Sequence, residues 1–196
     1  MSSPLPIDMS VTPQQAQQVL QQADCLYDAR AISRALDQLA IEISECVAER
    51  VTGDQPVIVV SIMNGGLVLS GHLLTRFKFP LHVDFIHATR YRNQTSGGEL
   101  EWKVEPHQSI KNRHLIILDD ILDEGYTLKA IIEYCRAQGA ASVTSAVLVE
   151  KQHDRRAAGA ECDFIGLTVE DRYVFGFGMD YKGYHRNLNG IYAVGE

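Results

Sequence analysis

The apolar positions of this chain change period several times, and the changes divide it into elements. Ala16, Val19, Leu20 and Ala23 recur at helical spacing inside a Gln-rich stretch. That spacing predicts a helix capped by Thr12, with Pro13 at its first position. A second helix is predicted from about Asp28 to about Val51, with Ile32, Leu36, Leu39, Ile43 and Val47 as its apolar stripe. Gly53, Asp54 and Pro56 break that pattern. The helical period then gives way to Val57-Ile58-Val59-Val60-Ser61-Ile62, a mostly β-branched run. Such a run fits a strand buried on both faces of a parallel sheet. Asn64-Gly65-Gly66 reads as a turn, residues 67–77 as a helix and residues 81–88 as a strand.

Residues 90–113 differ from their surroundings. They are polar, contain Gly97-Gly98 and enclose one strand-like segment at 100–104. A long loop or ribbon inside a compact domain is usually functional or mobile. Residues 114–118 form another buried-strand run, which leads into an acidic turn and a helix at 127–137 ended by Gly139. A further strand is predicted at 143–149. From Glu150 onward come short strands, many aromatics and several glycines. This order implies an α/β fold with a mostly parallel sheet flanked by helices. The turns at 63–66, 119–127 and 150–153 all follow strands, so they should share one rim, where ligands of such folds bind. No internal repeat or linker is visible, and residues 1–10 read as a loosely held leader.

Composition narrows the function. A chain of 196 residues suits one α/β domain and can bury a sizeable core. Its formal net charge of −7 argues against an electrostatic grip on nucleic acid. An acidic chain that handles anions must gather positive potential locally, and its one basic cluster is Lys151, Arg155 and Arg156. No apolar run is long enough to span a bilayer, and the N-terminus lacks a secretory pattern, so a cytoplasmic protein is expected. Cys25, Cys46, Cys135 and Cys162 lack metal-ligand spacing and read as buried reduced thiols. The seven His residues show no ligand spacing and receive no role.

The most specific segment runs Leu115-Ile116-Ile117-Leu118-Asp119-Asp120-Ile121-Leu122-Asp123-Glu124-Gly125-Tyr126-Thr127. A buried strand ends in two adjacent carboxylates, a glycine-containing loop follows, and a helix begins. Backbone N–H groups at a helix N-terminus attract anions. Gly125 permits close approach to a phosphate, and the Thr127 hydroxyl can donate to it. Paired carboxylates beside such a site can bind vicinal hydroxyls, directly or through Mg²⁺. A ligand with a phosphate and a sugar diol fits this arrangement. The plainer alternative is a solvated acidic turn that only caps a helix.

The same residues resemble the signature of the type I phosphoribosyltransferases: an apolar strand, two acidic residues, two apolar residues, Asp, a small hydroxyl residue, Gly, any residue, and Thr. The chain matches at Asp119, Asp120, Asp123, Gly125 and Thr127 and departs at Glu124. Glu124 is expected to point away and leave its N–H at the phosphate. The likeness extends to the hypoxanthine-guanine branch through residues 170–188, with Tyr173, Val174, Asp180 and Arg186, and through residues 83–85. The resemblance implies a small hood lobe from about 1–30 and 151–196 over a core at about 55–150.

It also implies a chemistry. The purine N9 attacks C1 of phosphoribosyl pyrophosphate as pyrophosphate departs through an oxocarbenium-like transition state. Asp123 would accept the N7 proton, its pKa raised by desolvation under a closed lid. Asp119 and Asp120 would hold the ribose hydroxyls, one of them through Mg²⁺. Glu124, Gly125, Tyr126 and Thr127 would bind the 5-phosphate, and Asn64, Gly65 and Arg186 would contact pyrophosphate. Asn64 departs from a frequent Lys, which leaves N–H contacts as its contribution. Lys151, placed after the strand, would donate to the purine 6-oxo group, Tyr173 would stack on the base, and Val174 would meet its edge. Asp180 would hold a second Mg²⁺. Arg90 and Tyr91 would open the lid segment. The resemblance further implies a dimer or tetramer. The rival readings are a phosphoribosyltransferase for xanthine, adenine or a pyrimidine, a phosphoribosyl pyrophosphate-sensing regulator, and an unrelated α/β phosphatase or nucleotide module.

Overall fold

The computed structural model describes residues 11–51, 56–90 and 100–195. The first helix, α1, spans Pro13–Gln22. Thr12 and Gln15 cap its start reciprocally: the Thr12 hydroxyl accepts from the Gln15 N–H, and the Gln15 side-chain oxygen accepts from the Thr12 N–H. Two otherwise orphaned donors are thereby satisfied. A short strand not expected from the pattern, β1 (Asp24–Tyr27), precedes α2 (Ala29–Arg50), whose N-terminus is capped by the Asp28 carboxylate.

The alternating core follows. Strand β2 (Val57–Ile62) leads to α3 (Gly66–Leu74), then to β3 (Leu81–Arg90) and β4 (Leu100–Val104). Strand β5 (His114–Leu122) leads to α4 (Tyr126–Ala137) and then to β6 (Ser142–Lys151), β7 (Phe164–Val169), β8 (Val174–Phe175) and β9 (Ile191–Ala193). The large sheet has the order β4-β3-β2-β5-β6-β7. Only the β3–β4 pair is antiparallel. The α/β class with a mostly parallel sheet is therefore the observed architecture.

The central strands β2, β5 and β6 are buried on both faces, as their unbroken apolar runs predict. Val57 and Val59 of β2, with Ile116 and Leu118 of β5, pack into one core with α2 and α3. Ile58, Val60, Leu115 and Ile117 point the other way into a second core with α4. This alternation is the two-residue period of a strand. Each fully buried Ile or Leu contributes about 1.5–3 kcal/mol. A second sheet, β1-β9-β8, joins the two ends of the chain. The Tyr27 hydroxyl donates to Thr168 O at 2.6 Å, tying this sheet to β7.

Three boundaries differ from the sequence reading in ways that matter for function. Strand β5 runs through the acidic pair to Leu122, because its pairing with β6 continues to Leu122↔Glu150. Asp119 and Asp120 thus belong to the strand, and the turn proper begins at Asp123. Strand β6 likewise reaches Lys151, which pairs with Val169 and so ends the strand rather than following it. The main sheet also takes its sixth strand from residues 164–169, well beyond residue 150. The thiol expectation is partly corrected: all four cysteines are free, but Cys135 alone is fully buried and Cys25 is exposed. Burial pushes the Cys135 thiol up to about 11.

Candidate active site

The C-terminal ends of β2, β5 and β6 lie side by side, so the segments leaving them meet on one rim. Glycines let them approach. A Cβ on Gly65 would lie 2.1 Å from the Asp120 carboxylate, and one on Gly66 would lie 2.5 Å from Leu118 O. Gly178, at φ +106, packs against Gly65 O from the C-terminal segment. Only a glycine tolerates both that conformation and that approach. Asn64 sits exposed at the mouth of the β2–α3 turn.

Helix α4 begins beside this rim. Its N-cap is Gly125 at φ +81, so its first N–H groups carry no side-chain cap. A cavity of about 360 Å³ opens there, bounded by residues 119–121 and 123–128 and by Arg155. Glu124 is exposed, and its carbonyl accepts from the Ala157 N–H at 2.9 Å. Arg155 holds Asp171 through two hydrogen bonds, and this pairing draws the Asp171 carboxyl down to about 2. Arg156 bonds Glu150 and Lys151 O. The basic cluster of the sequence is thus neutralised pair by pair.

Asp119 and Asp120 stand side by side at the end of β5, their carboxyl groups close enough to interact with each other. Burial and the Asp120 charge hold the Asp119 carboxyl well above the usual range, and burial also raises Asp120. Among the described residues, the cation paired with them is Arg186, 3.9 Å from Asp120. Its guanidinium also donates to Gly178 O and forms an ion pair with Asp180. Asp180 uses its other oxygen to accept from the Gly183 N–H. Tyr173 projects an exposed ring, edge-on to Tyr181, with its hydroxyl 3.4 Å from Asp180 O. Val174 beside it is buried.

Asp123 stands where the β5–α4 turn begins. Lys151 Nζ donates to its Oδ2 at 2.7 Å, and His153 Nε2 lies 2.7 Å from its Oδ1. Partial burial pushes this carboxyl up, but the hydrogen bonds from Lys151 and His153 and the Lys151 charge outweigh it, leaving it below its ordinary value. The expected rise by desolvation is therefore reversed in the arrangement seen here, because both oxygens are occupied by donors. His153, which shows no ligand spacing along the chain, thus contacts one of the expected site residues. Its only sequence signal is its place two residues after Lys151, at the end of a strand.

Several expected site residues meet on this rim: Asp119, Asp120, Asp123, Lys151 and Arg186, with the residue 124–127 loop and the Gly65 turn. Arg90 ends β3, and Tyr91 lies outside the described residues. Among the described residues, no cluster of three or more His, Cys, Asp or Glu could by itself hold a metal ion. The carboxylate pair nonetheless offers hard oxygen donors with one distant counter-cation. Mg²⁺ typically binds through one or two carboxylates, completing its shell with water and substrate phosphates. No helix among the described residues is long and apolar enough to cross a membrane.

Comparison with known proteins agrees with this geometry. Residues 22–182 match the family described as phosphoribosyl transferase domain. The hypoxanthine-guanine phosphoribosyltransferase of Staphylococcus epidermidis is 34% identical over 136 residues, 69% of this chain and 75% of that one. The enzyme of the same name from Aquifex aeolicus is 28% identical over 164 residues, covering 83% of this chain and 89% of its own. Among solved structures, the hypoxanthine phosphoribosyltransferase of Staphylococcus aureus superimposes with a TM-score of 0.80 at 25% identity, over 89% of this chain and 93% of that one.

Proposed function

This chain belongs to the phosphoribosyl transferase domain family, and from that premise we propose that it salvages a 6-oxopurine base, hypoxanthine or guanine. It transfers the 5-phosphoribosyl group of phosphoribosyl pyrophosphate to N9, giving IMP or GMP and pyrophosphate. The observation that carries this reading is the Asp123–Lys151 pair, 2.7 Å apart, beside an anion-attracting cavity at the start of α4. It joins a carboxylate suited to a purine N–H with an ammonium suited to a 6-oxo group.

The residues divide the work as follows. Backbone N–H groups of Glu124, Gly125, Tyr126 and Thr127, with the Thr127 hydroxyl, bind the 5-phosphate at the helix terminus. Asp119 and Asp120 accept hydrogen bonds from the ribose hydroxyls. Arg186 and the peptides at Asn64 and Gly65 neutralise and orient pyrophosphate. Tyr173 stacks on the base and Val174 meets its edge. Arg90 and Tyr91 begin the segment that closes over the site and excludes water. Lys151 turns from Asp123 to the 6-oxo group when the base enters. Asp123 then stabilises the positive charge that grows on the purine and takes its N7 proton.

Mg²⁺ fits the carboxylate pair and would be held there by Asp119 and Asp120, and a second Mg²⁺ would be held by Asp180 once that side chain releases Arg186. When bound, it would neutralise charge on the leaving pyrophosphate. Assembly into a dimer or tetramer and a cytoplasmic site of action complete the proposal.

Turnover with a panel of bases tests the reading. With Mg²⁺ present the protein should convert hypoxanthine and guanine. Adenine should react at least about a hundredfold less well, because its amino group leaves the Lys151 donor unmatched. Comparable turnover of adenine would refute the assignment.

A further inference from the structure

The side chain of His153 is 2% exposed, touches Asp123, and is not used by the reaction as described so far. Its hydrogen bonds determine its tautomer. The Arg155 backbone N–H, which can only donate, points at Nδ1 at 3.0 Å. Nδ1 therefore carries a lone pair, and the ring proton of the neutral imidazole sits on Nε2. The 2.7 Å contact to Asp123 Oδ1 is then an N–H donating to a carboxylate. A proton added to Nδ1 would face the Arg155 N–H.

The turn that carries His153 is held on both sides. Gln152 N–H donates to Val169 O, the Arg156 guanidinium donates to Lys151 O, and Ala157 N–H donates to Glu124 O. The imidazole is thus a rigid donor built into the wall of the site. Lys151, by contrast, reaches Asp123 Oδ2 on a flexible four-carbon stem.

We propose that His153 is the positioning residue that holds Asp123 through Oδ1, leaving Oδ2 free for chemistry when Lys151 turns to the base. This rests on the reading of Asp123 as the proton acceptor. The N7–H bond breaks, an Oδ2–H bond forms, and the electron pair of the broken bond stays in the purine. His153 does not take that proton onward, since Nε2 already bears one and Nδ1 is engaged. Its contribution is geometric: without it, the released carboxylate would rotate away from the base.

The test begins with the wild-type protein and hypoxanthine, so that failure of the enzyme reading is seen separately as no turnover. His153→Ala should lower kcat by about tenfold to a hundredfold, the scale on which loss of orientation acts. KM for phosphoribosyl pyrophosphate should stay within about twofold, since the ribose and phosphate contacts lie elsewhere. His153→Gln, whose side-chain N–H reaches a similar point, should recover kcat to within about threefold. Unchanged kcat in His153→Ala, a defect wholly in KM, or a Gln variant as impaired as Ala would overturn the proposal. Should the Ala variant not fold, the Gln variant and nitrogen-15 NMR of the wild-type imidazole decide. The NMR should show a proton on Nε2 and none on Nδ1, and the opposite tautomer or a doubly protonated ring at neutral pH would also overturn it.

Discussion

At the scale of the residue, Asp123 is held by two donors on opposite oxygens. Asn in its place is nearly isosteric, but it offers one oxygen and one N–H₂ group. One of Lys151 and His153 would then face a donor, and the charge that stabilises the purine cation would be gone. Asp123→Asn should lower kcat by roughly a hundredfold or more, the scale of one positioned acid–base group. KM for phosphoribosyl pyrophosphate should change little, because the lost interaction strengthens in the transition state. Steady-state kinetics showing near-normal kcat would reduce Asp123 to a loop-ordering residue. Its lowered pKa also has a direction. The stability it contributes is present above the ordinary aspartate value of about 3.9 and is lost as the pH falls through the lowered folded value. Asp123 and Lys151 could be picked out along the chain by a motif and a strand end. His153 could not, since its partner lies thirty residues away and nothing in its neighbours announces the contact.

At the scale of the element, the β2–α3 junction shows how one fold position differs from the next. Gly65 and Gly71 both lie at or in α3, and both have backbone angles open to alanine, with neither at positive φ. Propensity favours Ala at Gly71 inside the helix, by up to about 1 kcal/mol, and gives it no advantage at Gly65, the N-cap. The surroundings separate them. A methyl on Gly71 meets nothing within 4 Å, whereas one on Gly65 would collide with the buried Asp120 carboxylate at 2.1 Å. Gly71→Ala should be neutral or slightly stabilising in thermal denaturation. Gly65→Ala should displace Asp120, lower the melting temperature and raise KM for phosphoribosyl pyrophosphate by about tenfold or more, a loss of about 1.4 kcal/mol in binding. Equal behaviour of the two variants would remove the steric account. The apolar runs showed where strands begin. They did not show where β5 and β6 end, because pairing with a neighbour carries both strands past the last apolar run, to Leu122 and Lys151.

At the scale of the whole molecule, the site is assembled at a cost to the fold. Burial and the charge of Asp120 raise the Asp119 carboxyl, so its stabilising contribution exists below the unfolded value of about 3.9 and is lost as the pH rises through the raised folded value. Burial of the adjacent pair thus makes ionising Asp119 costly to the unliganded fold. Asp119→Asn should raise its melting temperature by about 2 °C or more, since about 1 kcal/mol moves a domain of this size by 2–4 °C. That gain should shrink as the pH falls, and binding of phosphoribosyl pyrophosphate should weaken. Calorimetry with a lower melting temperature, or with unchanged affinity, would count against this account. Local sequence determined the class of the fold, its helix caps and buried strands, and the acidic segment that carries the ligand chemistry, because periodicity, capping and turn residues act over a few neighbours. Tertiary structure alone decided that β1, β8 and β9 join the chain ends in one sheet, and that Arg186 reaches the acidic pair. It alone decided that Asp123 is clamped between Lys151 and His153. Those contacts join residues dozens of positions apart, and the parallel sheet, by laying its strand ends side by side, is what brings them within hydrogen-bonding distance.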